Sequence, residues 1–344
     1  MRRITGLFFI ITLLIVYSGC GKIEKSWNTL FSSSEKLYII SNSNFSKYGF
    51  INQKGDIVIN PQFDEVMNFS EGVAVVRIYK KYGFIDKTGK YVVNPQFDHA
   101  ESFKEGLALV VTGKKYGFID KSGKYVINPQ FEDDINMRSS FNFSNGLALV
   151  CFNKKYGFIN KSGKYEVNPQ FHIAFEFAEG LAPVILDLED GKFGYIDKSG
   201  KYAINPQFDD MTYGFSEGLA PTRIGMKFGY IDKSGKYVIN PQFDMAYSFS
   251  EGLAVVQIGK KYGYIDKSGK YAINPEFDKA QSFNEGLALV VTGKKYGFID
   301  KSGKYVINPQ FDYALSFRKG LAPVRQNRIM GYIDKGGNYI WKLN

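Results

Sequence analysis

The chain has 344 residues, with 44 Lys and Arg against 34 Asp and Glu, so its formal net charge is +10. A basic balance of this kind favours acidic partners, such as lipid headgroups, anionic polymers or nucleic acid. Cys20 and Cys151 are the only cysteines, and acylation of Cys20 would exclude an internal disulfide framework. Stability must therefore come from burial and repetition.

Residues 1–19 have the three parts of an export signal: two arginines near the start, an apolar run at 7–16, and small residues before Cys20. The apolar run is too short for a transmembrane helix of about 20 residues. Residues 17–20 resemble a lipobox, although Tyr17 stands where leucine is commonest. The resemblance implies cleavage before Cys20 and a diacylglycerol on its sulfur. The alternative is ordinary signal cleavage beside an incidental cysteine.

These features predict a protein of the cell envelope, anchored by lipid to a membrane and lying outside the cytoplasm. That location makes nucleic acid an unlikely partner in spite of the charge. Removal of residues 1–19 takes away two arginines and no acid, which leaves a net charge of +8. Residues 20–35 have no sustained period and a run of serines, so we interpret them as a tether.

An aromatic-Gly-aromatic-Ile motif recurs throughout residues 36–344 and divides them into nine units. The intervals between copies are 34, 34, 40, 37, 35, 34, 34 and 34 residues. All eleven prolines follow the same period, eight of them in Asn-Pro and three in Ala-Pro. Self-similarity at a fixed period indicates a repeat architecture. The copies begin at Tyr48, Tyr82, Tyr116, Tyr156, Phe193, Phe228, Tyr262, Tyr296 and Met330.

The unit that starts at Gly106 predicts an antiparallel meander of three strands. Residues 107–111, 116–120 and 125–127 are short runs of apolar, β-branched and aromatic residues. Polar, glycine-containing turns separate them. Pro129 is expected to stop the third strand because proline cannot donate to the ladder. No helical period of useful length is present, so the fold class is all-β.

The stretch 115–131 reads Lys-Tyr-Gly-Phe-Ile-Asp-Lys-Ser-Gly-Lys-Tyr-Val-Ile-Asn-Pro-Gln-Phe and resembles the WG-repeat family, also called KWG repeats. The likeness recurs in every unit and covers residues 36–344. Tryptophan is absent from the signature position, where Tyr, Phe or Met330 stands. The resemblance implies the type of repeat and says little about activity.

A meander of about 34 residues buries too little apolar surface to be stable alone, so the units must stack. The first unit begins with a strand at 37–40 and the last ends on one at 339–341, so every unit is complete in itself. This completeness predicts an open, curved, solenoid-like stack. A closed β-propeller of eight or nine blades is the alternative.

The repeated residues carry no pattern of a cofactor, metal or catalytic site. His99 and His172 occupy different phases of the repeat. The aspartate of each Asp-Lys-Ser-Gly turn offers one carboxylate where calcium requires 6–8 oxygens. A Walker loop, a zinc-ligand spacing and a nucleophile elbow are also missing from the sequence. We therefore predict neither cofactor nor bound metal, and assign no catalytic residue.

The three longer intervals are consecutive, and each added segment is locally acidic. Insertions in repeat proteins often lie on the binding face. We expect the inserted acids to form one acidic rim, suited to a cationic partner or a divalent ion; drift in unconstrained loops is the alternative. The candidate partner-binding residues are Asp133, Asp134, Asp187, Glu189 and Asp190.

Two classes of function fit these observations. The first is a surface- or periplasm-facing scaffold that binds an unidentified protein or envelope polymer. The second is a glycan-acting hydrolase on a propeller, with insert carboxylates as acid and base. Two loop carboxylates about 5–10 Å apart around a pocket would favour the enzyme, whereas an even, pocket-free groove would favour the scaffold.

Overall fold

The computed structural model describes residues 36–132, 141–189, 191–211 and 214–343. Over these ranges the chain consists of strands and turns, as the all-β prediction requires. Nine separate sheets follow one another, and we number them 1 to 9 in chain order. The described part holds no helix that is long and apolar enough to cross a membrane.

Sheet 1 has three strands and the other sheets have four each. The strands of sheets 1 to 3 are β1 (Tyr38–Ser41), β2 (Tyr48–Ile51), β3 (Ile57–Phe63), β4 (Glu65–Val66), β5 (Val73–Ile78), β6 (Lys81–Asp86), β7 (Tyr91–Phe97), β8 (His99–Ala100), β9 (Ala108–Thr112), β10 (Lys115–Ile119) and β11 (Tyr125–Glu132). Those of sheets 4 to 6 are β12 (Phe143–Ser144), β13 (Leu147–Phe152), β14 (Lys155–Asn160), β15 (Tyr165–Phe171), β16 (Ile173–Ala174), β17 (Ala182–Ile185), β18 (Phe193–Ile196), β19 (Tyr202–Phe208), β20 (Asp210–Met211), β21 (Ala220–Ile224), β22 (Lys227–Ile231) and β23 (Tyr237–Phe243). Those of sheets 7 to 9 are β24 (Met245–Ala246), β25 (Ala254–Ile258), β26 (Lys261–Ile265), β27 (Tyr271–Phe277), β28 (Lys279–Ala280), β29 (Ala288–Thr292), β30 (Lys295–Ile299), β31 (Tyr305–Phe311), β32 (Tyr313–Ala314), β33 (Ala322–Gln326), β34 (Ile329–Ile333) and β35 (Tyr339–Lys342).

Within each sheet the strands pair in chain order and antiparallel. The sequence predicted the last three strands of each unit and missed the two-residue strand that precedes them. In sheet 3 this strand is β8, whose His99 and Ala100 pair with Val111 and Val110. Two residues are too few to give a readable alternation of apolar and polar side chains.

The third predicted strand of the unit is longer than expected. β11 continues beyond Pro129, so the prediction that this proline ends the strand is wrong. The pairing shifts register there: Phe118 pairs with Ile127, whereas Tyr116 pairs with Phe131. Pro129 therefore lies in a bulge of an edge strand, where its missing N–H removes no ladder hydrogen bond.

This bulge also explains the glycine of the repeated motif. A Cβ on Gly117 would lie 2.4 Å from the carbonyl oxygen of Ile127 and 2.7 Å from the nitrogen of Pro129. The bulged backbone thus fills the space that a side chain would need. Glycine and Asn-Pro recur together in the units because they form one packing feature.

The Asp-Lys-Ser-Gly segments form tight turns as predicted. In sheet 3 an Asp120 carboxylate oxygen accepts hydrogen bonds from the Ser122 hydroxyl at 2.6 Å and from the Ser122 and Lys124 backbone N–H groups at 2.9 and 3.1 Å. The hydroxyl bond is the main cause that lowers the pKa of Asp120. These acids are therefore occupied by the turn.

The hydrophobic core lies between neighbouring sheets. In each of eight consecutive junctions the second aromatic of the motif meets a phenylalanine of the next sheet, with ring centroids 4.7–5.1 Å apart. Such rings are fully or almost fully buried. Edge-to-face pairs at this distance add about 0.5–1.5 kcal/mol beyond area burial. The pairs are Phe50–Phe69, Phe84–Phe103, Phe118–Phe143, Phe158–Phe177, Tyr195–Phe215, Tyr230–Phe249, Tyr264–Phe283 and Phe298–Phe317.

Sheet 9 packs against sheet 1, so the nine sheets form a closed ring. The Tyr332 hydroxyl donates to the carbonyl oxygen of Ile39 at 2.7 Å, and the Tyr38 hydroxyl donates to that of Lys319 at 2.6 Å. Leu321 is buried in one cluster with Tyr38 and its neighbours in sheet 1. The prediction of an open solenoid is wrong, and the alternative of a closed β-propeller is correct. The three-stranded sheet 1 and the four-stranded sheet 9 close the ring through side-chain packing alone. Within the described ranges no sheet is built from strands of both termini.

Charged clamps join most neighbouring sheets. A glutamate of one sheet accepts a hydrogen bond from a glycine N–H of the next at 2.8–3.2 Å. The same carboxylate pairs at 3.1–3.7 Å with a lysine in a turn of the next sheet. That turn reads Asp-Lys-Ser-Gly, Asn-Lys-Ser-Gly at Lys161, or Asp-Lys-Gly-Gly at Lys335. The seam between sheets 9 and 1 differs, because Lys319 and Gln53 stand at the clamp positions there. The clamp glutamates are Glu71, Glu105, Glu179, Glu217, Glu251 and Glu285.

The antiparallel order defines two faces of the ring. In sheet 3 the segment 101–107 and the turn 120–124 lie at the same ends of their strands. The turn 113–114 and the connection at residue 98 lie at the opposite ends. We call the first the loop face. The second is the insert face, since the turn between β17 and β18, which carries one of the inserted segments, belongs there.

Closure of the ring can be tested with two matched leucines. We expect Leu321→Ala to destabilise the mature chain about as much as Leu287→Ala, which changes the same repeat position one sheet earlier. The two side chains are 2% and 8% exposed, and truncating a buried leucine costs about 2–5 kcal/mol. Thermal unfolding followed by circular dichroism measures both. A much smaller loss for Leu321→Ala would contradict closure, because an open array leaves this side chain without sheet 1.

Candidate functional site

A short segment of one sequence pattern follows or includes the two-residue strand in each of sheets 2 to 9. The long last strand of each sheet, such as β11 or β23, alternates exposed and buried residues and faces outward. The two-residue strand at the opposite edge of the sheet therefore faces the axis of the ring. We call these segments the axial loops. They are residues 67–72, 101–106, 141–146, 175–180, 214–218, 247–252, 281–286 and 315–320.

The axial loop of sheet 7 illustrates the common pattern of Ser-Phe-Ser-Glu-Gly. Phe249 packs against Tyr230 of sheet 6. Ser250 donates its hydroxyl to the carbonyl oxygen of Phe283 in sheet 8 at 2.8 Å. Glu251 clamps sheet 8. The repeated residues of the loop are therefore occupied in joining the sheets.

The other described axial loops each depart from this pattern. Asparagine replaces one serine in sheets 2, 4 and 8, and Arg318 and Lys319 replace the second serine and the glutamate in sheet 9.

The axial loops of sheets 3 to 6 carry the following further changes. Lys104 replaces the second serine in sheet 3, and Asn145 replaces the clamp glutamate in sheet 4. In sheet 5 Glu176 replaces the first serine and Ala178 the second. Gly214 replaces the first serine in sheet 6. Asn145 still joins two sheets, since its side-chain amide donates to the carbonyl oxygen of Phe177 at 3.0 Å. The other four positions lack the architectural side chains of the repeat and are open to another role.

All five departures line a single cavity of about 720 Å³, which we call the axial cavity. Ala178 and Gly214 make room for it: a Cβ on Gly214 would lie only 3.0 Å from the Cβ of Ala178. Phe175 and Met211, both half-buried, add apolar wall. The cavity is of the size that holds small ligands, about 300–1,000 Å³.

Two opposite charges face the axial cavity without pairing with each other. Burial raises the pKa of the Glu176 carboxyl, and the nearby Lys104 ammonium acts in the opposite direction. Among the described residues neither side chain makes an ion pair or a hydrogen bond. A carboxylate partly removed from water gains more from a bound cation than an exposed one does.

The third ionisable side chain of the cavity, Glu179, is a clamp residue. Its carboxylate accepts the Gly218 N–H at 3.1 Å and pairs with Lys233 at 3.2 Å. It is thus bound to sheet 6 and has little freedom to act on a ligand. In the described part of the chain no three His, Cys, Asp or Glu side chains are grouped so as to hold a metal ion.

The candidate residues from the sequence lie elsewhere or outside the described residues. Cys20, Asp133, Asp134 and Asp190 belong to the second group. Asp187 and Glu189 are exposed in the turn between β17 and β18, and the Glu189 N–H donates to the Asp187 carboxylate at 3.0 Å. This turn lies on the insert face, away from the axial cavity. The acidic rim stays a prediction.

Changes in the length of the repeat unit do not reveal the residues of the axial cavity. Glu176 and Ala178 lie in a loop of the usual length, so their unit shows them only by residue type. The readable signal was a residue-by-residue comparison of the Ser-Phe-Ser-Glu-Gly segments, in which these positions differ from the rest.

The histidines and the second cysteine have local structural roles. His99 contacts a Glu101 carboxylate oxygen through Nε2 at 2.8 Å and packs on the ring of Tyr82. His172 lies 2.7 Å from the carbonyl oxygen of Leu186 through Nδ1. Cys151 is buried in β13 as a free thiol. Its burial fits the role of a small apolar side chain in the core.

Known structures share the fold at low sequence identity. One described as "Crystal structure of the eukaryotic initiation factor" aligns over 90% of this chain and 96% of its own, with a TM-score of 0.65 and 10% identity. Dihydro-heme d1 dehydrogenase NirN aligns over 93% of this chain and 75% of its own, with a TM-score of 0.47 and 11% identity. Hsv2p of Kluyveromyces lactis aligns over 68% and 92%, with a TM-score of 0.41 and 10% identity. The first structure shares the fold of this chain, whereas the similarity of the other two is too low to support a shared fold.

Comparison at the level of sequence gives the family. No curated protein matches the chain. The WG containing repeat, by contrast, matches eight consecutive segments, at residues 48–82, 82–116, 116–156, 156–187, 193–227, 228–262, 262–296 and 296–328. These segments cover most of the ring, and this chain belongs to the WG-repeat family.

Proposed function

We propose that this protein is a binding scaffold held on the outer side of a membrane by a lipid on Cys20, with its ligand site in the axial cavity. One observation carries the proposal: five departures from the repeat, spread over four consecutive sheets, line the same cavity. Repeated axial residues hold neighbouring sheets together. Other departures occur in sheets 2, 8 and 9, but the one acidic replacement of a serine and both replacements by a smaller residue in the described axial loops, at Glu176, Ala178 and Gly214, meet at this cavity.

The geometry of the ring is compatible with a lipid anchor. β1 begins at Tyr38, which pairs with Ile51 beside the turn 52–56, so the tether enters on the loop face. Residues 20–35 could extend over about 50 Å. A tether of that reach leaves the axial loops, which belong to the same face, open to ligands between the ring and the membrane.

We favour binding over glycan hydrolysis for this cavity. A glycosidase of the usual kind needs two carboxyl groups free to act on opposite sides of the bond. Here Glu179 is engaged by Gly218 and Lys233, which leaves Glu176 as the one available carboxyl group in the cavity. Asp187 and Glu189, which are among the insert carboxylates that the hydrolase hypothesis invoked, lie on the insert face.

The anchor predicts a definite mass and location. We expect the native protein to fractionate with membranes and to begin at a Cys20 that carries acyl chains. Cys20→Ser should release it to the soluble fraction, while Cys151→Ser, the matched change at the buried thiol, should leave it on the membrane. Intact-mass analysis of the purified native chain provides the measurement. A chain that begins at Cys20 but lacks the added mass of acyl chains would contradict the lipid anchor.

The axial cavity also predicts a stability effect of known sign. Burial raises the pKa of folded Glu176 above its unfolded value. The folded chain then binds more protons between the two pKa values, so this group's contribution falls as pH rises through that window. We expect Glu176→Gln to stabilise the protein at about pH 7, where the carboxyl group is ionised, and to lose this effect at acid pH, where the group is protonated in both the folded and the unfolded chain.

Differential scanning calorimetry over this pH range tests the effect. Glu276→Gln removes an exposed carboxylate from an outer strand and serves as the matched control, with no pH-dependent change expected. A Glu176→Gln variant that melts lower than wild type at neutral pH would be inconsistent with a desolvated carboxylate in the cavity.

Two variants separate the axial cavity from the acidic inserts. The first restores the repeat residues by Lys104→Ser, Glu176→Ser and Ala178→Ser. The second changes the five candidate insert acids to Asn or Gln. On an array of glycans and envelope proteins, we expect the first variant to lose the ligands of the wild type. Loss in the second variant alone would move the binding site to the acidic rim, and unchanged binding in both would reject the two sites together.

A further inference from the structure

We propose that the axial cavity binds a small zwitterion, a short peptide with a free amino group and a free carboxyl group. The ammonium would lie against Glu176 and the carboxylate against Lys104. This inference rests on the proposed function of the cavity as the ligand site and adds the chemical class of the ligand.

The charge pattern of the cavity selects for a ligand with both signs. Lys104 belongs to sheet 3 and Glu176 to sheet 5, so each charge has its own sheet. A simple cation near Glu176 would meet the field of Lys104, and a simple anion near Lys104 would meet that of Glu176. A zwitterion oriented between them is attracted at both ends, and in a half-enclosed site each attraction exceeds that in bulk water.

The surrounding departures adjust the same balance. Every described axial loop of sheets 2 to 8 except that of sheet 4 has a glutamate at the clamp position; there Asn145 replaces it, and the replacement lines the cavity. The loss of that carboxylate prevents a third negative charge from competing for Lys104. The remaining acid of the cavity, Glu179, is paired with Lys233. One acceptor and one donor of full charge are therefore left to a ligand.

Size and polarity favour a short peptide over a single amino acid. The volume of about 720 Å³ exceeds what one amino acid fills. Phe175 and Met211 provide apolar surface for side chains. The Ser144 and Ser216 hydroxyls donate to carbonyl oxygens of the next sheet, which leaves their oxygens to accept from peptide N–H groups. An extended peptide of two or three residues spans about 7–11 Å, which separates its terminal charges as two charged groups on non-adjacent sheets require.

Calorimetric titration of the full mature chain with Leu-Leu tests the inference. N-acetyl-Leu-Leu lacks the ammonium, and Leu-Leu amide lacks the carboxylate. We expect acetylation to weaken binding by about tenfold or more, since it leaves the half-buried Glu176 carboxylate without its partner, and amidation to weaken binding less, since Lys104 is exposed. Glu176→Gln should remove the penalty for acetylation only, and Lys104→Met the penalty for amidation only. Glu276→Gln and Lys260→Met, on exposed positions away from the cavity, should preserve both penalties.

The outcomes distinguish this inference from the function beneath it. Equal affinity for the free and blocked peptides overturns the zwitterion, as does a failure of Leu-Leu to bind at millimolar concentration. In either case the array experiment with the triple serine variant still judges the cavity by itself. If that variant binds every ligand that the wild type binds, the cavity is not the ligand site and the proposed function falls with the inference.

Discussion

The ring depends on one contact, the burial of a motif aromatic against the phenylalanine of the next sheet's axial loop. A three- or four-stranded sheet of this size cannot bury enough apolar surface by itself. Phe118, for example, is completely buried only because Phe143 and its neighbours in sheet 4 cover it. Each sheet is therefore stable only between two others. Closure extends that condition to sheets 1 and 9, which would otherwise each leave one apolar face in water.

The repeat-wide architecture restricts where function can arise. Exposed clamps contribute only about 0–1 kcal/mol each, yet they occupy the repeated glutamates and lysines of the loop face. The axial serines are occupied in the same way by carbonyl groups of the next sheet. A specific site can then form only where these residues are given up. In sheets 3 to 6, replacements of these repeat residues surround one cavity. In sheet 9 they lie at the seam, where the Lys319 carbonyl oxygen accepts a hydrogen bond from the Tyr38 hydroxyl.

The sequence predicted local structure well because each local element has its own signal. The period, the turns and the pairing of the motif glycine with Asn-Pro all follow from backbone geometry that a few adjacent residues determine. Closure had no such signal, because it depends on the angle between sheets accumulated over nine units. The contact of Tyr332 with Ile39 joins positions 293 residues apart, and nothing near either residue marks it. The prediction that Pro129 ends its strand was wrong for a related reason. Proline interrupts a strand that has neighbours on both sides, whereas an edge strand can contain it, and the local sequence does not show which strand is at the edge.

The candidate site was hidden by the regularity that revealed the fold. In a repeat protein the residues that recur report packing, so a functional residue is one that breaks the pattern without breaking the sheet. Glu176 meets both conditions: its loop keeps the buried Phe177 and the clamp Glu179, while a carboxylate stands where a small polar side chain would be easier to bury. A desolvated charge opposes folding, and the two neighbouring changes to Ala178 and Gly214 also remove side-chain contacts. These three changes each weaken packing and together enclose a space, and this is the reason for our proposal that the space is a ligand site.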